Sequence, residues 1–180
     1  MYLALAAVLC VMAQNDSGTS KVPVTIAGGH EIGREDHGRP CILIAAGLGV
    51  KTEVFREAFS GVTPAKGGPP SEAEKRANKS ALLKVLSPHK VSNERLDEVS
   101  NYYRYQPQRG ELWPTTAAKA HAVVENGKVT KIVVDEPGSG YCSLPQLSVK
   151  GFPDLQLKAT LHLDKDLKKN GGIEAIELSK

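Results

Sequence analysis

The stretch Asn126-Gly127-Lys128-Val129-Thr130-Lys131-Ile132-Val133-Val134 sets an Asn-Gly pair directly before a β-branched run. A degenerate echo, Asn170-Gly171-Gly172-Ile173-Glu174-Ala175-Ile176-Glu177-Leu178, follows near the end of the chain. Asn and Gly tolerate the positive φ angles of a type I′ turn, so an Asn-Gly pair ahead of β-forming residues is the strongest short-range hairpin signal a sequence carries. The two copies predict repeated β architecture in the last third. Any residue with a Cβ is strained at Gly127, so Gly127→Val is expected to destabilise. The same change at Gly171 is expected to cost less, because Gly172 beside it can take up the strained position.

Other β signals surround the echo. Leu157, Ala159, Leu161 and Leu163 alternate with Lys158, Thr160, His162 and Asp164, as a strand with one face in a core and one in water requires, and Leu147 and Val149 repeat this on a smaller scale. Pro137-Gly138-Ser139-Gly140-Tyr141 must turn sharply, with the tyrosine packing back under the turn. Near the other end, Val22, Val24 and Ile26 read as a short strand stopped by Gly28-Gly29.

Between these regions the period becomes helical. Pro40 suits a first helical turn and Gly47-Leu48-Gly49 a glycine stop. Thr52 is placed to cap a helix with the stripe Val54, Phe55, Ala58, Phe59, closed by Gly61. After the Pro/Gly-rich stretch from Thr63 to Pro70, Ser71-Glu72-Ala73-Glu74 offers a capping box for a helix that Ser87-Pro88 ends. A fourth helix starts near Ser92 or Asn93 and the bundle ends near Tyr105. Val50, Glu53, Phe55, Glu57 and Ala58 align at a constant offset of 41 with Val91, Glu94, Leu96, Glu98 and Val99, which suggests a small bundle of helical hairpins.

The charge balance of 23 Lys+Arg against 20 Asp+Glu, net +3, is too even for the electrostatic footprint of a nucleic-acid binder, so no nucleic-acid partner is expected. Met1 to Ala13 is uncharged and almost wholly apolar, and Val11-Met12-Ala13 before Gln14 matches a signal-peptidase site. Export, with a mature chain starting near Gln14, is the expectation. A run this short falls below the roughly twenty residues a bilayer requires, so no transmembrane span is expected in the mature protein. Loss of Cys10 would leave Cys41 and Cys142, either bridged or, for Cys41 at the head of an apolar run, buried as a small hydrophobe. Asn15-Asp16-Ser17 and Asn78-Lys79-Ser80 match the glycosylation sequon.

Two segments concentrate chemistry. His30, Glu31, Glu35, Asp36, His37 and Cys41 fall within twelve positions of one loop, and His30, Glu31, Asp36 and His37 are the candidate ligands of a divalent transition metal. Arg34 stands where a zinc-protease helix needs its second histidine. The plainer reading is a solvated polar loop whose Asp36 caps the following helix. The second segment, Tyr102 to Trp113, holds four of the nine aromatic residues and two arginines. Tyr103, Arg104, Tyr105, Arg109 and Trp113 are candidate ligand-binding residues that would stack on sugar rings and hold an anion. A chain with few aromatics spends them on its core, so a wedge sealing the helical part against the β part is the competing role.

Asn126-Gly127-Lys128-Val129, Ile132-Val133-Val134, Pro137-Gly138-Ser139-Gly140-Tyr141 and Leu144-Pro145 together give Ala120 to Val149 a likeness to a known pattern. The segment resembles a β-repeat with a Gly-Ser-Gly-Tyr turn found in many uncharacterised exported or surface proteins of bacteria and in some phage tail proteins. That resemblance implies a structural or adhesive module and carries no catalytic residue across. The sequence thus predicts an α+β protein, a small helical bundle followed by an antiparallel β-sheet. Its segments are a signal peptide at 1–13, an N-terminal strand and loop at 14–35, a helical segment at 36–106 and a β-rich repeat at 107–180. The expected function is an exported, non-enzymatic structural or binding module that meets a cell-envelope or extracellular protein or glycan. The alternative is a metal-dependent enzyme using the His30/His37 loop.

Overall fold

The computed structural model describes residues 18–63 and 70–179. The expected leader, Cys10, the sequon at Asn15 and most of the Pro/Gly-rich stretch lie outside the described residues. Within them the chain is α+β: strand β1 (Thr19–Ala27), helices α1 (Cys41–Leu48), α2 (Thr52–Ser60), α3 (Glu72–Leu86) and α4 (Asn93–Tyr102), then strands β2 (Lys119–Glu125), β3 (Lys128–Glu136), β4 (Gln146–Val149), β5 (Leu157–His162) and β6 (Gly172–Leu178). No helix among the described residues is long and apolar enough to cross a membrane.

The helical half is two hairpins with one turn chemistry. Gly49 and Lys90 both take positive φ, 73° and 63°. Each is followed by an extended N-cap two residues on, Lys51 or Ser92. The amide of Gly49 donates to Ala46 O and that of Val50 to Ala45 O, and Lys90 to Ser87 O and Val91 to Leu86 O repeat the pattern at the same offset. These paired bonds satisfy carbonyls that a helix end leaves orphaned. The offset seen in the sequence is therefore structural: Phe55 and Leu96, and Ala58 and Val99, occupy matching buried places in one core with Leu43, Leu86, Tyr103 and Trp113. Ser71 and Glu74 form both bonds of the capping box, and Ser92 accepts from the Arg95 amide at 3.1 Å. Thr52 does not cap α2. It is the first helical residue, and Lys51 at the N-cap supplies no side-chain bond.

A four-stranded antiparallel sheet of order β3-β2-β1-β4 faces a two-stranded sheet of β5 and β6. Val24, Ala120, Ala122 and Val149 of the larger sheet meet Ala159, Ile173 and Ile176 of the smaller one, with Tyr141 between. β1 lies inside the sheet, pairing with β2 through Thr19 to Pro23 and with β4 through Val24 to Ala27. β5 ends at His162, so Leu163 falls outside the predicted alternation and is 42% exposed.

The two Asn-Gly copies do different work. Asn126 and Gly127 turn β2 into β3 with φ of 51° and 75°, as the type I′ expectation required. Asn170-Gly171 is no hairpin turn; it is the bolt between the two halves. Asn170 is fully buried, and its Nδ2 donates to Leu43 O in α1 at 2.7 Å and to the Tyr103 hydroxyl beyond α4 at 2.8 Å. Its Oδ1 accepts from the Asp164 amide at 3.1 Å, and its backbone carbonyl accepts from the Gly140 amide at 2.9 Å. Gly171 has a φ of 71°, and a Cβ there would stand 2.5 Å from Tyr141 O and 2.7 Å from a Leu43 methyl. Around Gly127 a Cβ would meet nothing within 4 Å.

The expected asymmetry is therefore reversed. Gly127→Val suffers backbone strain alone, about 1–3 kcal/mol. Gly171→Val adds a clash with backbone that cannot retreat, and should lower stability by roughly a further 1–3 kcal/mol. Denaturant unfolding of the two variants checks this, and a larger loss at Gly127 would show that the Asn170-Gly171 corner yields easily.

Candidate functional site

The segment 29–41 wraps from β1 to α1 without gathering its acids and histidines. Glu31 turns back to its own neighbourhood, its Oε2 accepting from the Gly29 amide at 3.0 Å and from the Ser143 hydroxyl. Those bonds, the serine's foremost, hold its carboxyl below the usual range. His30 stacks on Tyr141 with ring centroids 5.0 Å apart and tilts toward Trp113, and its Nε2 is buried with no hydrogen-bond partner. Asp36 ends a short 3-10 turn at Arg34–Asp36, and its carboxylate receives Arg56 Nε of α2 at 2.6 Å. Asp36 is no helix cap, since the N-cap of α1 is Pro40 without a side-chain bond. His37 sits exposed in the left-handed region. Among the described residues no three His, Cys, Asp or Glu side chains come together as a metal site. The candidate ligands His30, Glu31, Asp36 and His37 are thus kept apart, two of them already engaged by Ser143 and Arg56.

The aromatic segment divides. Tyr103 and Trp113 are buried in the helical core, 0% and 2% exposed, and so present no surface to a ligand. Trp113 Nε1 donates to Gly140 O at 2.9 Å, which makes the residue a seal between the halves, as the wedge reading expects. Arg109 is exposed in the 3-10 turn Pro107–Arg109. Of the five, Arg104 and Tyr105 border a cleft of about 640 Å³ lined with Gly38, Arg39, Pro70, Lys75, Gln106 and Pro107.

Arg39 is the residue the sequence reading passed over. It precedes α1, whereas Arg104 follows α4, and the two helices run antiparallel: Arg95 at the start of α4 donates to Gly47 O at the end of α1 at 2.6 Å. Antiparallel packing therefore sets the entry of one helix beside the exit of the other. Two bonds fix the geometry. The Tyr105 hydroxyl donates to Gly38 O at 2.6 Å while its ring stands edge-on to Trp113 with centroids 5.2 Å apart. The Arg39 amide donates to Asp36 O at 2.9 Å, and Arg56 clamps that aspartate.

Neither Arg39 nor Arg104 has an acidic partner among the described residues, whereas Arg56, Lys75, Lys79 and Arg95 each have one. Burial, and then the positive charge of Arg104, push the Arg39 guanidinium below its ordinary range. Arg39 is half-buried and Arg104 exposed; like charges at one cleft repel one another, and an anion between them offsets that repulsion. A second cleft of about 500 Å³ lies between Pro137, Ser139, His162 and Ile173. Its Glu136, His162 and Lys169 are already paired with Lys119, Asp164 and Asp166.

No protein-family model, no curated protein and no solved structure matches the chain.

Cys41 and Cys142 are both free thiols, and burial pushes each up to about 12. Since the thiolate is the reactive species, iodoacetamide at pH 8 should alkylate both far more slowly in the native protein than in guanidinium. Peptide mapping after alkylation reads each site separately. Native labelling as fast as unfolded labelling would contradict the burial.

Proposed function

We propose that the protein is an exported, non-enzymatic binding module that meets a cell-envelope or extracellular protein or glycan through an anionic group held between Arg39 and Arg104. The observation that carries this reading is the pair of guanidinium groups with no acid beside them among the described residues, in a cleft whose walls are pinned by Tyr105 to Gly38 and by Arg56 to Asp36. Arginine presents a planar fork that fits carboxylate, phosphate or sulfate oxygens two at a time. The flanking Tyr105 ring adds a flat surface for whatever carries the charge. No step of this reading calls on a nucleophile or a proton relay, because holding a charge requires only the two arginines and the walls that position them.

Titration with inorganic sulfate, followed by NMR of the arginine Nε–H signals, tests the site directly. Arg39→Ala and Arg104→Ala should each weaken binding by about tenfold, the scale of one charge-assisted bond, while Lys128→Ala on the far hairpin should leave it unchanged. Rising sodium chloride should weaken wild-type binding. Equal affinity across all three variants would remove the cleft from consideration.

A further inference from the structure

The cleft does not end at its arginines. Beyond them it opens into a second chamber of about 380 Å³ that shares Arg39, Pro70, Lys75 and Arg104 with the first and runs over Phe59, Val62, Leu82 and Leu96 of the α2–α4 region. Phe59, Val62 and Leu82 are only half-buried, so the chamber presents an apolar wall to solvent. Lys79 and Asp97 border it too, but they are paired with each other at 2.7 Å and add no stranded charge. On its other side the first chamber is lined by Gly38, Tyr105, Gln106 and Pro107. Three surroundings therefore meet here: two cations, an apolar wall of Phe59, Val62, Leu82 and Leu96, and a side lined by Tyr105, Gln106 and Pro107.

A ligand that satisfies all three must branch where its charge sits. A fatty acid has one arm and leaves the Tyr105, Gln106 and Pro107 side empty, and an acidic glycan has only polar arms and leaves the apolar wall wet. The last residue of a polypeptide differs, because its α-carbon carries a carboxylate, a side chain and the amide link to the preceding chain. We propose, building on the anion-holding reading above, that the cleft captures the C-terminus of a partner protein ending in an aliphatic residue. The terminal carboxylate lies between Arg39 and Arg104, the terminal side chain packs on the Phe59 and Leu82 wall, and the preceding residues run along the side lined by Tyr105, Gln106 and Pro107. Capture of a chain end in this manner gains charge-assisted bonds from the carboxylate and apolar burial from the side chain beside it. An internal acidic side chain offers no second arm at the same carbon, so the site would discriminate chain ends from acidic surfaces.

The test uses fluorescein-labelled Gly-Gly-Ser-Leu as free acid and as C-terminal amide, and Gly-Gly-Ser-Ser as free acid, in fluorescence polarisation against the whole protein. The acid ending in Leu should bind about tenfold or more tighter than its amide, and about tenfold tighter than the peptide ending in Ser. Arg39→Ala should abolish the preference for acid over amide. Leu82→Gln, at a half-exposed position, should abolish the preference for Leu over Ser while keeping the preference for acid. Thermal melting of each variant confirms that it is folded. Equal binding of acid and amide, or of Leu and Ser ends, overturns the chain-end proposal. Arginine-dependent binding of sulfate or of a galacturonate hexamer without any peptide binding also overturns it, and leaves the anion-holding reading standing. Failure of sulfate as well as peptide removes both.

Discussion

One buried amide side chain ties the molecule together. Asn170 reaches Leu43 in α1 and Tyr103 beyond α4 with its two Nδ2 hydrogens, and it receives Asp164 and Gly140 from the β half with its two carbonyl oxygens. Its own amide donates to Asp166 O, so every polar group of the residue is used. Such a group is costly to bury unless fully satisfied and specific once it is, because each partner must stand in one place. The β5–β6 loop that carries it also sends Leu167 into the helical core, and Lys165 O takes a bond from Arg95 of α4. The β half thus plugs into the helical half through this loop.

The seam determines what the cleft can be. Tyr103 is held by Asn170, and two residues later Tyr105 rests edge-on against Trp113, which is itself bonded to Gly140. Arg104 lies between these two fixed tyrosines. On the opposite wall, the Asp36–Arg56 pair fixes the turn from which Arg39 projects. The backbone on both sides of the cleft is thus tied down, which fixes where the two arginine side chains start.

What was legible in the sequence was local. The turn at Asn126-Gly127, the capping box at Ser71-Glu74 and the matching turns at Val50 and at Val91 each depend on residues a few positions apart, and each appears as its local chemistry requires. The same Asn-Gly dipeptide at 170 was misread because its partners are distant: Leu43 stands 127 positions away and Tyr103 67. The place of β1 inside the sheet was hidden for the same reason, as was Asp36, whose partner Arg56 belongs to a different helix. Half of the cleft was visible, since Arg104 and Tyr105 stood out beside their aromatic neighbours. Arg39 was not, because only antiparallel packing of α1 on α4 brings it to Arg104. Clustering in sequence proved a poor guide at His30, Glu31, Asp36 and His37, where turn geometry and nearer partners disperse the side chains.

If Asn170 and its plug make one cooperative body of the two halves, they must unfold together. Native-state hydrogen exchange at rising denaturant measures this residue by residue, comparing core amides of α1 and α4 with those of β2 and β6. The predicted result is a single free energy of opening shared by both sets, splitting into two when Asn170 is replaced by Ala. Separate opening energies for helical and β amides in the wild-type protein would contradict the claim that this side chain holds the fold together.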